Sequence, residues 1–318
     1  MRWDDRIGRR LKLRDISVLM AVAQSGSMAK AARELAVSQP VVSKTISDLE
    51  HILGVRLLDR SPQGVSPTPF GRALLNRGVA VFDELRLGIK EIEFLADPTV
   101  GDVRVGASSA MVDGFLPVVV ARLCRQYPRL TIEVQILSGS ALPEGLRERT
   151  VDFVVARIST PIREPDLSAE ILFEDPQLVI VGAKNPLAQR RKVKLPELVD
   201  DPWILPRSGS VAGALIADTF HACGLEVPRA AVSCDSFQMT GALLGAGRYL
   251  AMFPRSLLKF SGWRRSVKVL PVTLPNLPRP VGVVTLKGRI AHPAAQLFID
   301  RMREDAKTLV QSNDDERL

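Results

Sequence analysis

The 318-residue sequence has few of the residues and motifs on which enzymes and disulfide-stabilised proteins depend. Three cysteines are too few for a disulfide framework, and their spacing matches no metal site. There are only three histidines, and the chain contains no H-E-x-x-H, no G-x-S-x-G, no dinucleotide fingerprint and no phosphate loop. We therefore expect no catalytic residues, no metal ligands and no cofactor.

Long apolar runs are also missing. No stretch approaches the roughly 18 apolar residues of a membrane span, and the charged N-terminus lacks the apolar core of a signal peptide. We therefore expect a cytoplasmic protein that makes no membrane contact. The 46% hydrophobic content is that of a globular chain with two or three cores.

The net charge of +8 is spread along the chain and identifies no partner by itself. Residues 1–98 contain 15 Lys and Arg against 12 Asp and Glu, a surplus of +3. Residues 99–318 contain the remaining 28 against 23, a surplus of +5. This basicity permits a nucleic-acid partner but does not indicate one.

The stretch from Ser27 to Leu53 predicts two short amphipathic helices separated by a tight turn. Ser27 is placed to cap the first helix, which should run over residues 28–35. Ser38 should cap the second helix, with Pro40 in the first turn, where its missing N–H costs nothing. The pattern predicts a helix-turn-helix, although similar helix pairs also occur in folds that do not bind DNA.

The second helix should have one apolar face and one polar face. Projection at about 100° per residue places four apolar side chains in one buried stripe: Val42, Ile46, Leu49 and Leu53. The opposite face carries hydroxyls, an amide and a cation, which can pair with base edges in a major groove. An ordinary solvated helix face is the alternative. The polar residues are Gln39, Pro40, Ser43, Lys44, Ser47 and His51.

A hairpin and a long helix should follow. Short strands around a turn at residues 61–64 predict a wing that can lay Arg60 and Gln63 on the DNA backbone or in the minor groove. Thr68-Pro69 then predicts the start of a helix that continues without proline to Leu95. Its apolar stripe is too long for a small winged unit to bury, so we expect it to pair with a second copy.

From Gly101 onward, strand and helix patterns alternate, which is typical of an α/β domain. A last amphipathic helix should cover residues 292–308, followed by a polar and disordered tail. Open α/β sheets bind ligands at the carboxyl ends of their strands. The predicted strands are Val103–Gly106, Thr131–Leu137, Phe153–Ala156, Gln177–Gly182, Trp203–Leu205, Ala230–Cys234, Leu250–Phe253 and Val281–Leu286, and the helices between them are 109–126, 142–149, 211–223 and 238–245.

The segment AARELAVSQPVVSKTISDLEHILGVRLLDR, residues 31–60, closely resembles the winged helix-turn-helix of LysR-type transcriptional regulators. The resemblance implies an α/β fold overall, with an N-terminal winged helix-turn-helix, a long linker helix and a two-lobed α/β effector domain like type 2 periplasmic binding proteins. Residues 59–85 resemble the subgroup named for regulation of galactose-binding protein.

The resemblance also implies a division of the chain and a set of partners. We expect a double-stranded DNA operator with an interrupted inverted repeat, and a homodimer that assembles into a homotetramer. The implied segments are a basic arm (1–12), the winged helix-turn-helix (13–68), the linker dimerisation helix (69–98), the effector domain (99–308, with lobe I formed by 99–174 and 275–308 and lobe II by 175–274) and a disordered tail (309–318).

Within these segments, the resemblance assigns roles to individual residues. Base-edge contacts would come from Gln39, Pro40, Ser43 and Lys44, and phosphate contacts from Ser38, Ser47 and the wing. A small-molecule effector, either a sugar or a small organic acid, would sit between the lobes. Its candidate residues are Ser108, Ser109, Ser138, Pro206, Arg207, Ser208, Ser236 and Phe253.

Several of these assignments have plain structural alternatives. A serine at a strand-to-helix turn can be a helix cap and nothing more. Arg207 beside a helix N-terminus would make a strong anion site, but a solvated surface arginine fits the sequence as well. Phe253 fits an ordinary core position equally well.

Two other functions remain open. A redox-sensing regulator using Cys223 and Cys234 is one, although only His221 and Arg229 lie near enough in sequence to lower a thiol pKa. An enzyme on a two-lobed binding-protein-like fold is the other, and the missing catalytic motifs argue against it. The sequence identifies neither the effector nor the direction of regulation.

Overall fold

The computed structural model describes residues 10–62, 64–158, 164–260, 266–275, 277 and 279–315. Most of the predicted basic arm and the wing residue Gln63 therefore lie outside the described residues. The chain divides into two compact units, Met1–Ile89 and Lys90–Leu318.

The first unit is a three-helix cluster with a two-stranded hairpin. Its core is formed by one face of each helix together with the first strand, and includes Leu19, Ala31, Ile46 and Leu58. The predicted helix pair and hairpin are confirmed. The elements are α1 (Leu13–Ser25), α2 (Met28–Glu34), α3 (Gln39–Leu53), β1 (Leu58–Ser61) and β2 (Gly64–Pro67).

Helix α4 (Pro69–Ala96) is the long helix that the sequence predicts. The hydroxyl of Thr68 accepts a hydrogen bond from the backbone N–H of Gly71 at 3.0 Å and donates one to the carbonyl of Arg56 at 2.8 Å. Thr68 thus caps the first turn, as predicted, and joins the helix start to the preceding chain.

The second unit contains two five-stranded sheets, one in each lobe. Its strands are β3 (Val100–Ala107), β4 (Arg129–Ile136), β5 (Phe153–Arg157), β6 (Leu167–Glu174), β7 (Gln177–Gly182), β8 (Trp203–Leu205), β9 (Ala230–Ser233), β10 (Leu250–Pro254), β11 (Val267–Val269) and β12 (Pro280–Leu286). Its further helices are α5 (Ser109–Asp113), α6 (Leu116–Gln126), α7 (Ala141–Arg147), α8 (Val211–Ala222), α9 (Phe237–Gly245), α10 (Arg255–Phe260) and α11 (Pro293–Asp315).

The first sheet has the order β4-β3-β5-β12-β6, and the second has the order β11-β7-β10-β8-β9. In the first, β3 pairs parallel with β4 and β5, while β12 pairs antiparallel with β5 and β6. Parallel neighbours require crossover connections, which the intervening helices supply. The chain therefore passes from the first lobe to the second between β6 and β7 and returns before β12.

The predicted helix over residues 109–126 is wrong in one respect, because it is two helices with a break at Gly114 and Phe115. A Cβ on Gly114 would lie 3.2 Å from the backbone nitrogen of Leu257 in α10. The glycine thus lets α10 approach closely, and Phe115 turns into the core of the first lobe against Phe173. The sequence pattern contains no signal for this tertiary contact.

Other elements were missed or misplaced. Strands β6 and β11 and helix α10 were not predicted. Helix α11 continues to Asp315, so the predicted disordered tail is helical over most of its length. Across the described residues, no helix combines the length and apolar character needed to cross a membrane. The same residues contain no cluster of three or more metal-ligating side chains.

Candidate DNA interface and effector cleft

Helix α3 presents a polar face to solvent over a buried apolar stripe. Val42, Ile46 and Leu49 are at most 1% exposed, and Leu53 is half-buried. The opposite side is open, as the projection predicts. Ser38, Gln39, Pro40, Lys44 and Ser47 are exposed, and Ser43 is half-buried.

The tight turn between α2 and α3 depends on Ala36, whose φ of 53° is left-handed. This conformation is uncommon for a residue with a Cβ and sharpens the angle between the two helices. Ser27 caps α2 by accepting from the N–H of Lys30. The predicted cap by Ser38 is wrong, because its side chain makes no capping hydrogen bond to α3. Its hydroxyl is exposed at the N-terminus of α3, the end of a helix that favours phosphate.

The hairpin is fixed to the end of α3 by Glu50. One carboxylate oxygen of Glu50 accepts hydrogen bonds from the backbone N–H of Leu57 at 2.8 Å and of Leu58 at 3.2 Å. The wing residue Arg60 is exposed and lies opposite Val65 in the strand pair. A carboxylate on the DNA-facing side of a recognition helix would repel DNA. Glu50 instead accepts these two internal hydrogen bonds, which were not predicted from the sequence.

A cavity of about 70 Å³ lies between the lobes of the second unit. The second lobe supplies most of its wall, including Ile204, Leu215 and Phe253, while Ala110 and Arg157 come from the first lobe. The cavity therefore lies at the carboxyl end of β8, where open α/β sheets bind ligands.

Three of the predicted effector residues line this cavity: Pro206, Ser236 and Phe253. Ser236 also caps α9 by accepting from the N–H of Met239 at 3.2 Å. Ser108, Ser109, Ser138, Arg207 and Ser208 are not among the described residues of the lining.

Arg207 is a solvated surface arginine, which is the alternative that the sequence left open. Its side chain is 77% exposed and forms an ion pair with Asp235. The hydrogen bonds from Arg207 hold the pKa of Asp235 below its usual range. The Arg207 side chain is thus committed to a surface pair.

Among the described residues of the lining, the cationic side chain is that of Arg157, which was not predicted from the sequence. Its side chain is 13% exposed, and its Nη2 lies 3.3 Å from a carboxylate oxygen of Asp175. Asp175 is fully buried and accepts from the N–H and hydroxyl of Ser256 at 2.9 and 2.8 Å. Burial raises the pKa of Asp175 despite the nearby charge of Arg157. Arg157, Asp175 and Ser256 come from segments that are far apart in sequence. Their position near the ends of strands is the only sequence signal that could have predicted them as part of the site.

A second buried charge cluster is centred on Asp152 in the first lobe. Its carboxylate lies 3.0 Å from Nη2 of Arg289 and 3.2 Å from Nε2 of His292, and it accepts from the N–H of Arg104 at 2.9 Å. Burial alone would raise the pKa of Asp152. The hydrogen bonds from His292 and Arg104 and the charge of Lys90 together hold this pKa far below its usual range.

A winged helix-turn-helix with an exposed polar helix face, followed by a long helix and a two-lobed α/β unit with a cavity between its lobes, defines a ligand-responsive DNA-binding regulator. The family comparisons agree. Residues 13–72 match the lysR family of bacterial regulatory helix-turn-helix proteins, and residues 96–307 match the LysR substrate binding domain. The chain belongs to the LysR family of transcriptional regulators.

Similar proteins fit this assignment. The uncharacterized HTH-type transcriptional regulator YdcI of Escherichia coli (strain K12) is 27% identical over 93% of this chain and 96% of its own length. The regulator GbpR of Azospirillum brasilense is 26% identical over 94% and 88%. The crystal structure of full-length CbnR with its target DNA has a TM-score of 0.54 at 23% identity and covers 93% of this chain and 100% of its own.

The family assignment confirms the sequence-based prediction of a DNA-binding regulator with an effector-binding domain. It also sets aside the enzyme alternative, because the matched family and its similar members are transcriptional regulators. Cys124, Cys223 and Cys234 are all free thiols.

Proposed function

We propose that this regulator reads its operator with the exposed face of α3 and senses a small organic effector in the cavity between its lobes. In this proposal residues 13–68 bind DNA, residues 69–98 dimerise and residues 99–308 bind the effector, in the cytoplasm. The DNA interface is proposed mainly because α3 exposes a polar face opposite the buried side chains of Val42, Ile46 and Leu49.

Gln39, Pro40, Ser43 and Lys44 would contact base edges in the major groove. Ser38 and Ser47 would contact phosphates, and so would Arg60, the exposed wing cation. The exposed position of Ser38 at the N-terminus of α3 supports its phosphate role. Gln63 is assigned to the wing contact on the sequence pattern alone.

The test of this interface is the salt dependence of DNA binding by the full-length chain. DNA selected by the wild-type protein from a random-sequence pool serves as the operator. Lys44→Ala should weaken binding and flatten the dependence of log K on log salt, because the interface then holds one cation fewer per recognition helix and releases fewer condensed cations. Lys268→Ala, at an exposed lysine in β11, is the matched control. A Lys44→Ala slope equal to that of the control would remove Lys44 from the interface.

The self-association surface would be the exposed apolar stripe of α4. Val81, Leu85, Ile89, Ile92 and Leu95 are 39–75% exposed and fall within one third of the helix circumference. A stripe of this kind on a long helix is typical of a helix pair. We propose a homodimer through α4 and a homotetramer of two such dimers on an interrupted inverted repeat.

Light scattering on the full-length chain tests the assembly. The double variant Leu85→Lys/Ile89→Lys should lower the measured mass below that of the wild type, because lysines at the helix contact repel. Glu93→Lys, off the stripe, should leave it unchanged. An unchanged mass for the double variant would exclude the stripe as the dimer contact.

A further inference from the structure

The chain crosses between the two lobes of the second unit twice, and the two crossovers are bonded to each other. Asp175 is fully buried and lies in the first crossover, between β6 of the first lobe and β7 of the second. Its backbone N–H donates to the carbonyl of Arg279 at 3.0 Å, and Arg279 lies directly before β12 in the returning crossover. Asp175 therefore lies at the point about which the lobes must move.

The side chain of Asp175 contacts both lobes. Its carboxylate accepts hydrogen bonds from the backbone N–H and the hydroxyl of Ser256 at 2.9 and 2.8 Å, and Ser256 is in the first turn of α10 in the second lobe. The same carboxylate lies 3.3 Å from Nη2 of Arg157, the last residue of β5 in the first lobe. We call Arg157, Asp175 and Ser256 the interlobe triad.

A close backbone contact next to the interlobe triad joins the same two lobes. Gly114 follows α5 in the first lobe, and a Cβ on this residue would lie 3.2 Å from the backbone nitrogen and the Cα of Leu257. Leu257 directly follows Ser256 and is fully buried. Movement of α10 away from the first lobe would therefore separate Gly114 from Leu257 and pull on the triad.

The two sides of the triad hold Asp175 unequally. Ser256 gives it two hydrogen bonds of ordinary length, whereas Arg157 gives it one longer contact. Among the described residues, Nη1 of Arg157 is also buried without a hydrogen-bond partner. Separation of Arg157 from Asp175 would expose this nitrogen to water, which offsets part of the lost contact. Separation of Ser256 from Asp175 brings no such gain, so the Arg157 side is the one that breaks at lower cost.

We propose that Arg157 and Asp175 form a latch that holds the lobes in the arrangement of this structure, and that Asp175 moves with the second lobe when the lobes separate. Without the latch, the buried carboxylate loses its ion pair to the first lobe, and the separated arrangement, in which water reaches it, is favoured. The latch thereby sets the ratio of open to closed lobes in the absence of any ligand.

Pulsed electron resonance on the full-length chain measures the separation of the lobes. Spin labels at Ser138→Cys and Ser208→Cys report on it, because both residues are exposed and follow strands that end at the cavity side of their sheets. The native cysteines are first replaced by serine. Labelled chain is assembled with an excess of unlabelled chain, so that the measured distance lies within one chain.

Removal of the latch should add a population with a longer distance between the labels. Arg157→Met removes the cation and keeps an unbranched side chain, and the ratio of open to closed lobes should rise about tenfold or more. Arg147→Met, which breaks an exposed pair with Asp166 in the first lobe, is the matched control and should leave the distances unchanged. Distances in Arg157→Met equal to those of the control would overturn the latch.

Two further variants test which residues form the latch. Asp175→Asn should also open the lobes, and its combination with Arg157→Met should open them no further than the larger single effect, because the two residues act through one contact. Additive effects would overturn the pairing. Ser256→Ala removes a bond within the second lobe and should change the ratio by less than about twofold. A rise as large as that in Arg157→Met would overturn the assignment of Asp175 to the second lobe.

Hydrogen exchange separates opening of the lobes from unfolding. In Arg157→Met and Asp175→Asn, the amides of α5 should exchange faster, because a helix this short depends on its contact with α10. The amides of β3 and β8, one strand from the centre of each sheet, should stay protected. Loss of protection in β3 and β8 without a longer label distance would show that the triad supports folding alone, and would overturn the latch.

These measurements need neither DNA nor an effector. Failure of the latch therefore leaves the proposed DNA-reading function standing, and failure of the Lys44→Ala test leaves the latch standing.

Discussion

Neutralising Asp152 should destabilise the second unit more than any surface charge change of the same kind. The Asp152 carboxylate is 3% exposed and is surrounded by Arg104, Arg289, His292 and Lys90. Asp152→Asn keeps the shape and one carbonyl acceptor but removes the negative charge. Arg289, with a side chain only 4% exposed, then loses its ion pair with Asp152.

The structure sets the magnitude. Removing one partner of a buried ion pair costs about 3–5 kcal/mol. The lower end applies here, because Lys90 keeps a second carboxylate, Asp102, at 2.6 Å, and because Arg289 keeps its hydrogen bond to the Val151 carbonyl at 2.7 Å. We expect a loss of about 3 kcal/mol, which corresponds to roughly a hundredfold change in an opening equilibrium.

Hydrogen exchange of the full-length chain measures this loss and contains its own reference. Amides of β3 and β5 should exchange roughly a hundredfold faster in Asp152→Asn, while those of α3 in the other unit should not change. Asp166→Asn, which disrupts a surface pair with Arg147, should change β3 and β5 by less than about fivefold. Equal exchange in the two variants would refute the reasoning.

The same charge cluster predicts a pH dependence. Because the pKa of Asp152 is lower in the folded state than the ordinary 3.8, its contribution is present above the unfolded value and is lost as pH falls through the folded value. The difference in exchange between wild type and Asp152→Asn should therefore be constant near neutral pH and shrink below about pH 4. A difference that grows on acidification would contradict this sign.

Two further predictions concern the first unit. Gly71→Ala should destabilise it by about 1–3 kcal/mol, since the new Cβ would lie 2.0 Å from the Leu57 carbonyl oxygen. Thermal melts of the full-length chain should show this loss, and a melt equal to that of the wild type would contradict the close contact between Gly71 and Leu57. Glu50→Ala removes the acceptor of the Leu57 and Leu58 N–H groups. Amide hydrogen exchange in the hairpin should become about tenfold faster or more, while the amides of α1 stay protected. Unchanged exchange rates in the hairpin would show that Glu50 does not hold the wing.

Local sequence signals predicted the structure correctly where the stabilising contacts are local. The period of Val42, Ile46 and Leu49 predicted the buried side of α3, and Thr68-Pro69 predicted the start of α4. Ser38 failed as a cap because position and residue type do not determine where a hydroxyl points. The helix break at Gly114 depends on a contact with another lobe, which periodicity does not record.

The residues of the effector cavity were even harder to predict from local sequence patterns. The sequence favoured Arg207 because it precedes a helix, yet that side chain pairs with Asp235 at the surface. Arg157 was missed because it ends a strand of the first lobe and meets the cavity, whose wall comes mostly from the second lobe, only in the folded chain. Its buried pairing with Asp175, which Ser256 also bonds, arises only when these distant segments meet.

The most direct test of the account is a footprint of the full-length protein on its selected DNA, with and without a small organic ligand that a thermal-shift screen shows to bind the chain. If closing the lobes resets the arrangement of the DNA-binding units, the protected region should shorten or shift while binding persists. An identical footprint in both conditions, with the ligand bound at saturation, would contradict the claim that the cavity controls how this regulator binds its operator.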